Sequence, residues 1–420
     1  MAFGLSRLLR GGKKKEHYAL SLDIGTEFVK ALIYRIEKER GFVVGVGRQR
    51  QRLSDMQGGK VTDIAGVIAN CEEALSQASE MAKVAPKQCV IGIAGELIKG
   101  TTTTVHYERD HPKTKITINE LKNIIGKVQN RAFEKTRQAL AWETGYRELD
   151  VRLVNSAVVD VRIDGYRVTN PVGFQGRDIS IGVFNAFAPI VHLGALQTIS
   201  EGLGLELLAI AAEPYAVARC MGLEESPDFS AIFIDIGGGT TDIAVVRNGG
   251  VEGTKMFAIG GRVFTKRVGV ELDLSFSEAE KKKIAYSSGQ LNDKETEKVK
   301  KGLASDCQVW LSGVELALGE FGGSDLLPSR ILLCGGGSLL PEIEEFLKSR
   351  EWLKKLPFSR QPKVVFLRPK DVANIADETE KLTGAQDITP MALANLGIDL
   401  VGEAGTVEGI LDRVVGSLKE

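Results

Sequence analysis

Two short segments carry the same order of residue types, and that order suits phosphate binding. Asp23-Ile24-Gly25-Thr26 and Asp235-Ile236-Gly237-Gly238-Gly239-Thr240 each follow one apolar stretch and precede another. Glycine lets backbone N–H groups approach a phosphate closely. Because an aspartate repels phosphate, Asp23 and Asp235 suit a different task, which is to hold Mg²⁺ through water.

The second segment is the more informative of the two. Asp-Ile-Gly alone is a common turn at the end of a strand, so the first segment also fits a purely structural role. Each glycine inside a regular element costs roughly 0.5–1 kcal/mol relative to alanine, so a bare hairpin would not need three of them. A loop that wraps around phosphates would need all three glycines. Together the two segments suggest a domain duplicated within the chain, with one phosphate-binding hairpin in each copy.

Three further features fit other parts of a nucleotide. Gly335-Gly336-Gly337-Ser338 follows a buried, strand-like run, and bare backbone there suits a flat group such as a base. Glu280 and Lys283 share one helical face, where they would clamp ribose and adenine or form an ordinary surface ion pair. Glu213 precedes Pro214 at a helix start, where it either caps the helix or orients the water that attacks a γ-phosphate.

Other nucleotide sites and other classes of protein are excluded. The chain contains no GxxxxGK[ST] segment and no GxGxxG after a strand, so neither a P-loop nor a Rossmann site is supported. A net charge of −1 over 420 residues excludes nucleic-acid binding by the whole chain. A mean hydropathy of −0.04 argues against a polytopic membrane protein. The five scattered cysteines and the absence of a signal peptide indicate reduced thiols in a cytoplasmic protein.

Hydrophobic spacing predicts the elements that must position these residues. Apolar, strand-like runs precede each glycine segment, and helical spacing is clear at 61–82, 118–140, 276–287, 293–321 and 389–400. The uncharged stretch 179–200 is interpreted as a buried strand followed by an amphipathic helix. The sequence becomes more polar after about Gly100, and a loop or an edge strand is predicted for 101–115. The span from about 100 to 185 therefore looks like a small α+β unit inserted into a larger α/β domain.

The order of these motifs resembles the actin/Hsp70/sugar-kinase ATPase superfamily. Within it, residues 18–400 resemble the bacterial FtsA cell-division family. The insertion lies where that family carries an extra subdomain of SHS2 type, Asn170-Pro171-Val172-Gly173-Phe174-Gln175-Gly176 resembles its DPVGMxG stretch, and the helix with Glu280, Lys283 and Tyr286 resembles its AExxKxxYG helix. The resemblance implies an α/β, actin-like, duplicated ATPase fold with an inserted SHS2-like subdomain.

Site residues carried over from the resemblance fall into five groups. The first phosphate loop takes Asp23, Gly25 and Thr26, and the second takes Asp235, Gly237, Gly238, Gly239 and Thr240. The acid that positions the attacking water is Glu213. The ribose and adenine contacts are Glu280 and Lys283, and the adenosine loop is Gly335, Gly336, Gly337 and Ser338. The implied cofactors are ATP and Mg²⁺, with Asp23 and Asp235 holding the metal through water, and with at most slow ATPase activity.

Two residues depart from the usual FtsA pattern. Lys30 follows Asp23 by seven residues, as in actin and in the pilus-assembly protein PilM, whereas many FtsA sequences place the lysine sooner; we expect Lys30 at the nucleotide. Glu27 places an acid in the first phosphate loop, which is unfavourable beside a triphosphate unless the side chain points away.

The resemblance implies a cytoplasmic, ATP-binding protein on the inner face of the membrane. It would link the division ring, through the tubulin-like GTPase FtsZ or other ring proteins, to that membrane, and would self-associate into filaments. A PilM-like component of type IV pilus or secretion assembly is the alternative, and a small-molecule kinase of the same superfamily is a third. The implied division of the chain is 1–16 as a basic amphipathic segment, 17–100 and 186–222 as a first lobe, 101–185 as the insertion, 223–260 and 330–400 as a second lobe, 261–329 as its helical subdomain, and 401–420 as an amphipathic tail.

The two ends of the chain differ in charge. Residues 1–15 contain five basic residues and no acid, beside Phe3, Leu5, Leu8 and Leu9. The last twenty residues carry an apolar helical stripe but four acids against two bases. The FtsA family usually places a basic amphipathic helix at its C-terminus. In this chain we therefore expect residues 1–15 to contact an anionic membrane surface.

Overall fold

The computed structural model describes residues 17–95, 98–144, 150–222, 228–321 and 325–402. The predicted N-terminal segment 1–16, and residues 403–420 of the predicted tail, lie outside the described residues. Within the described ranges, no helix is both long enough and apolar enough to cross a membrane.

The elements follow one another in three groups. The first comprises β1 (His17–Ile24), β2 (Phe28–Glu37), β3 (Arg40–Arg50), β4 (Met56–Gln57), β5 (Lys60–Val61), α1 (Ile64–Ala82) and β6 (Gln88–Ile93). The second comprises β7 (Lys99–Glu108), α2 (Ile118–Thr144), β8 (Val151–Ile163), β9 (Tyr166–Arg167), β10 (Asp178–Pro189), α3 (Ile190–Gly202), β11 (Glu206–Ala212) and α4 (Glu213–Arg219). The third comprises β12 (Ala231–Ile236), β13 (Thr241–Arg247), β14 (Gly250–Phe257), α5 (Gly261–Leu272), α6 (Phe276–Ser287), α7 (Asp293–Gly319), β15 (Arg330–Cys334), α8 (Pro341–Lys348), α9 (Arg350–Leu353), β16 (Lys363–Phe366), β17 (Ile375–Asp377) and α10 (Ile388–Gly402).

The strand order confirms that the fold is duplicated. One sheet runs β11-β6-β1-β2-β3-β17, and the other begins β16-β15-β12-β13-β14. In both, an antiparallel three-stranded meander is extended by two parallel strands, since β6 and β11 repeat the positions of β15 and β16. The hairpins β1–β2 and β12–β13, which carry the two Asp-Ile-Gly segments, are therefore equivalent. This architecture is the actin-like ATPase fold.

The insertion continues the second sheet. Strands β7, β10, β8 and β9 follow β14 in a nine-stranded sheet, and Ile124, Ile125 and Val128 of α2 are buried in their core. The joint is short, because β14 pairs with β7 only at Gly253↔Thr101 and Thr254↔Gly100. A second joint lies on the other lobe, where the Ala212 amide donates to the Asn155 side chain over 2.7 Å.

Loop or edge strand was predicted for 101–115, and the structure agrees: Lys99–Glu108 is a strand that pairs along its length with β10 but with β14 only at its start, and residues 109–115 lie outside any strand. One part of the sequence-based division needs correction. The stretch 330–400 was assigned to the second lobe, but β17 pairs with β3 and α10 packs on β1, β2 and β6 of the first sheet. The all-round apolar sequence of α10 is buried there, and local spacing carries no sign of which sheet receives it.

Helix α1 shows how closely the first sheet is covered. Its first turn is capped by Asp63, whose carboxylate accepts the Gly66 amide over 3.1 Å. Gly45 and Gly47 of β3 face this helix, and a Cβ built on Gly47 would lie 1.8 Å from the Ala74 carbonyl oxygen. Only glycine permits this contact between helix and sheet backbones. The packing holds β3 rigidly beside the β1–β2 hairpin that reaches the cleft.

Candidate functional site

A cleft of about 520 Å³ gathers residues from both hairpins. Of the residues singled out in the sequence, these line it: Asp23, Gly25, Thr26, Lys30, Glu213, Asp235, Gly237, Gly238, Thr240, Glu280, Lys283, Gly335, Gly336 and Gly337. Two others sit behind the lining. Gly239 lies against the Thr26 side chain, and the buried Ser338 hydroxyl donates to the Gly335 carbonyl over 2.7 Å.

The two hairpin turns have the same geometry. The Gly25 amide donates to the Phe28 carbonyl over 3.1 Å, and the Gly237 amide donates to the Thr240 carbonyl over 2.9 Å. In each hairpin the aspartate stands opposite the residue seven positions on, which is Lys30 in one and Asp242 in the other. The duplicated turn has therefore kept its backbone while one copy acquired a cation and the other an anion.

Lys30 reaches across its hairpin to Asp23. Its ammonium lies 3.0 Å from the Asp23 carboxylate, and both side chains are largely buried. Burial alone would lower the pKa of Lys30, but attraction to Asp23 outweighs it and raises the pKa above its ordinary value. The group therefore keeps its positive charge inside the cleft, where a phosphate would need it.

Asp235 is held by two features that local sequence did not reveal. The Thr389 hydroxyl, from the start of α10, donates to its carboxylate. Gly335 lies against the other oxygen, at a φ of +81°, and a Cβ there would stand 2.1 Å from Asp235 Oδ1. Burial raises the pKa of Asp235, and the hydroxyl bond opposes that shift. Only glycine fits position 335, for reasons of both conformation and space.

Glu213 is the first residue of α4 and is buried in the cleft. Among the residues that the structure describes, its Oε1 atom has no hydrogen-bond partner. Gly92 makes room for it, since a Cβ there would lie 2.8 Å from that oxygen. Burial, followed by repulsion from Asp23, Asp242 and Asp235, raises the pKa of Glu213 well above its ordinary value. A carboxylate with a raised pKa has a high affinity for a proton, which suits a residue that orients water and accepts a proton from it.

Asp242 was not among the predicted site residues, although it closes the second segment. One oxygen accepts a hydrogen bond from the Thr240 hydroxyl over 3.2 Å, and the other is buried without a partner in the described part of the chain. Burial and the charge of Asp235 raise the pKa of Asp242 well above its ordinary value. Aligning the two hairpins would have found it, because it occupies the position of Lys30.

The donor set fits a hydrated Mg²⁺ ion. Within the described residues, no group of three or more His, Cys, Asp or Glu side chains could hold a metal directly. Buried carboxylate oxygens on Glu213 and Asp242 nevertheless lack partners, and Asp23 and Asp235 stand beside them. Mg²⁺ keeps several waters and takes one or two carboxylates, so waters on the ion would supply the missing hydrogen bonds.

The predicted adenosine contacts form a separate wall of the cleft. Lys283 lies 2.8 Å from the Glu280 carboxylate, and it also donates to the Thr265 hydroxyl and the Gly261 carbonyl. Both partners are more than 90% buried, so they are not an ordinary surface ion pair. Opposite them, Gly336 begins a 3₁₀ turn, and a Cβ there would meet only Gln386, at 3.8 Å. That backbone is bare enough for a flat ring to lie on it.

Comparison with known proteins identifies the relatives of this chain. A sequence profile described as "Cell division protein FtsA" matches residues 232–382, which include the second hairpin, the Glu280–Lys283 helix and the third glycine loop. The chain is 27% identical over 356 residues to the cell division protein FtsA of Neisseria meningitidis, covering 80% of this chain and 82% of that one. The Bacillus subtilis protein of the same name is 23% identical over 266 residues, covering 63% and 57%.

This chain is similar to the FtsA cell-division proteins. Its match to the FtsA of Streptococcus pneumoniae, 24% identical, spans 67% of this chain and 59% of that protein, so several relatives are matched over less than two thirds of their length. A solved chain from a PilM-PilN type IV pilus biogenesis complex superposes with a TM-score of 0.61 over 90% of this chain and 98% of its own, at 18% identity. That likeness shows the fold alone.

Glu213→Gln is expected to raise the melting temperature of the nucleotide-free, FtsA-like chain by roughly 2–4 °C at pH 8, and by less at pH 5. The pKa of Glu213 is raised in the folded state. The unfolded chain therefore releases this proton at a lower pH than the folded one, and stability falls as pH rises above the ordinary range of glutamate. Glutamine carries no charge and avoids that loss. Thermal melts at both pH values measure the effect.

The matched control is Glu206→Gln, at the exposed start of the strand that leads to Glu213. It should change neither melt by more than a degree or so, as is usual for surface substitutions. An equal gain for Glu213→Gln at pH 5 and pH 8 would contradict the electrostatic account.

Proposed function

We propose that this chain binds ATP with Mg²⁺ in the cleft and acts in cell division as a membrane-associated, actin-like adaptor of the division ring. The observation that carries the proposal is the meeting of two equivalent glycine hairpins and a third glycine loop around one cleft. The relatives named as cell division proteins supply the cellular context.

Each group in the cleft has a part in nucleotide binding. The Gly25 and Gly237 amides close the two turns, so the backbone amides of Thr26, Gly238 and Gly239 are the ones that face the phosphates. Asp23 and Asp235 hold Mg²⁺ through water, and Lys30 offsets the negative charge that remains. Bound Mg²⁺ neutralises the triphosphate. Glu213, with its unpaired oxygen, orients the attacking water, while turnover is slow.

The adenosine half of the nucleotide would occupy the opposite wall. Glu280 and Lys283 are fixed by Thr265 and by each other, so the ribose hydroxyls meet a preformed pair of acceptor and donor. The base would lie on Gly335, Gly336 and Gly337, with Ser338 holding the turn from behind. Preformed contacts of this kind reduce the entropy lost on binding.

In the division ring, the chain would act as a link. The insertion, residues 101–185, extends the sheet of the second lobe outward. We assign its surface to contacts between protomers in filaments. The partners are a tubulin-like division GTPase (FtsZ) or other ring proteins. We keep the division into lobes that the sequence predicts, and count β17 and α10 with the first lobe.

The membrane contact is assigned to residues 1–15. The described chain begins at His17, which pairs with Ile36 of β2, and Ile36 pairs in turn with Gly41 of β3. Gly41 lies against Ile398, near the end of α10. The first and last described residues therefore lie at the same end of the first lobe. The N-terminal side carries five basic residues, each worth about 1 kcal/mol near an anionic leaflet. On this assignment the protein is cytoplasmic and peripheral on the membrane.

Asp235→Ala is expected to lower the affinity for Mg²⁺-ATP by roughly a hundredfold, because the metal charge that offsets the triphosphate loses a holder. Isothermal titration calorimetry with and without Mg²⁺ measures the loss. Asp160→Ala, which removes an ion-paired carboxylate of the insertion, is the matched control. If the Asp235→Ala variant binds Mg²⁺-ATP as tightly as the unchanged chain does, the proposal that this cleft binds Mg²⁺-ATP is wrong.

Removing residues 2–15 is expected to abolish co-sedimentation with anionic liposomes, and raising the salt concentration should weaken the binding of the full chain. A chain shortened by residues 403–420 serves as the control and should still sediment. If the C-terminal truncation releases the protein while the N-terminal one does not, the membrane contact lies at the other end.

Depleting the chain in its own cells is expected to give long, undivided cells in which rings of the tubulin-like GTPase fail to constrict. Microscopy of cell length and ring position measures this. Normal division with loss of pili would instead favour the PilM-like alternative. ATP-dependent phosphorylation of a sugar, tested against a panel, would favour the small-molecule kinase.

A further inference from the structure

An ion-pair cluster joins the two phosphate loops across the cleft. Glu27, in the first loop, accepts from Arg262 Nε at 2.8 Å on one oxygen and from Arg50 Nε at 2.7 Å on the other. Arg262 lies in the first turn of α5 on the second lobe, whereas Arg50 ends β3 on the first. The acid that was unfavourable beside a triphosphate is thus fully engaged by two guanidinium groups.

Arg262 is bonded to both loops at once. Its backbone amide donates to the Gly238 carbonyl of the second loop over 2.8 Å, and the neighbouring Gly261 amide donates to the Gly237 carbonyl over the same distance. Its guanidinium donates to the Thr26 carbonyl of the first loop and to the Met56 carbonyl of β4. The planar fork of arginine suits several acceptors held at fixed angles.

The surrounding backbone shows that the two loops are in direct contact at this point. A Cβ on Gly238 would lie 2.7 Å from the Glu27 Cβ, and one on Gly239 would lie 2.7 Å from Thr26 Oγ1. Thr26 also accepts the Gly59 amide over 3.1 Å, which ties the β4–β5 hairpin to the same place. The loops can separate only if the contacts of Arg262 break.

We propose that Arg262 is a positioning residue that clamps the two phosphate loops together and thereby sets the rate at which nucleotide leaves the cleft. The proposal rests on the proposed function for its nucleotide. It differs from a role for Arg262 in stabilising charge during hydrolysis, because each of its three guanidinium nitrogens already donates to a group of the protein. Glu27 is the anchor of the clamp, and Arg50 steadies that anchor from within the first lobe.

The chain offers a matched pair of variants. Arg262→Gln removes the contact between lobes, and Arg50→Gln removes a guanidinium from the same carboxylate without touching the second lobe. Dissociation of a fluorescent ATP analogue with Mg²⁺, followed by stopped flow, should be roughly tenfold or more faster in Arg262→Gln, since several charge-assisted hydrogen bonds are lost. Arg50→Gln should change it by less than about twofold, and Arg262→Lys should recover part of the loss.

A double-mutant cycle separates clamping from general damage. Glu27→Gln combined with Arg262→Gln should dissociate nucleotide hardly faster than Arg262→Gln alone, because both changes open one contact. Melting temperatures show whether each variant is folded. An unchanged dissociation rate in folded Arg262→Gln overturns the proposal, whether or not turnover also falls.

A second measurement needs no nucleotide, so it distinguishes failure of the clamp from failure of the ATP assignment. Spin labels at Glu72→Cys on α1 and Lys298→Cys on α7 report the distance between lobes by double electron–electron resonance. The five native cysteines are buried, so the exposed engineered thiols label selectively. Arg262→Gln should broaden and lengthen the distance distribution, and Arg50→Gln should leave it unchanged. Identical distributions in all three proteins overturn the clamp, even if ATP does not bind.

Discussion

Four carboxylates meet where the two halves of this duplicated fold face each other, and the cleft contains Lys30 as their near neighbour of opposite charge. Asp23 is paired with that lysine, but the pKa values of Asp235, Asp242 and Glu213 are all raised by burial and by mutual repulsion. Such an arrangement is unfavourable in the empty protein. A bound cation would offset this repulsion, which otherwise lowers the stability of the folded chain.

The equivalence of the two hairpins explains how one protein obtained these opposite charges. Each turn closes by the same amide-to-carbonyl bond, and each aspartate stands beside a residue on the partner strand. Because that position is lysine in one copy and aspartate in the other, one hairpin places a cation beside its aspartate and the other places a second carboxylate there.

Sequence alone could predict the parts of the site that are local. Three features each consist of a short, continuous run of residues: the Asp-Ile-Gly turns, the helix with Glu280 and Lys283, and the third glycine loop. Thr389 and Arg262 could not be found in this way, because their partners lie 154 and 235 residues away along the chain. The return of β17 and α10 to the first sheet was missed for the same reason, since a helix that is apolar on all sides does not indicate what covers it.

The two joints of the insertion have a mechanical consequence. On one side, β7 continues the sheet from β14, only two strands from the hairpin that carries Asp235. On the other, Asn155 holds the amide of Ala212, the residue immediately before Glu213. The insertion thus behaves as a lever with one attachment on each lobe. A sideways load on its outer end would be converted into a torque between the hairpin of Asp235 on one lobe and Glu213 on the other.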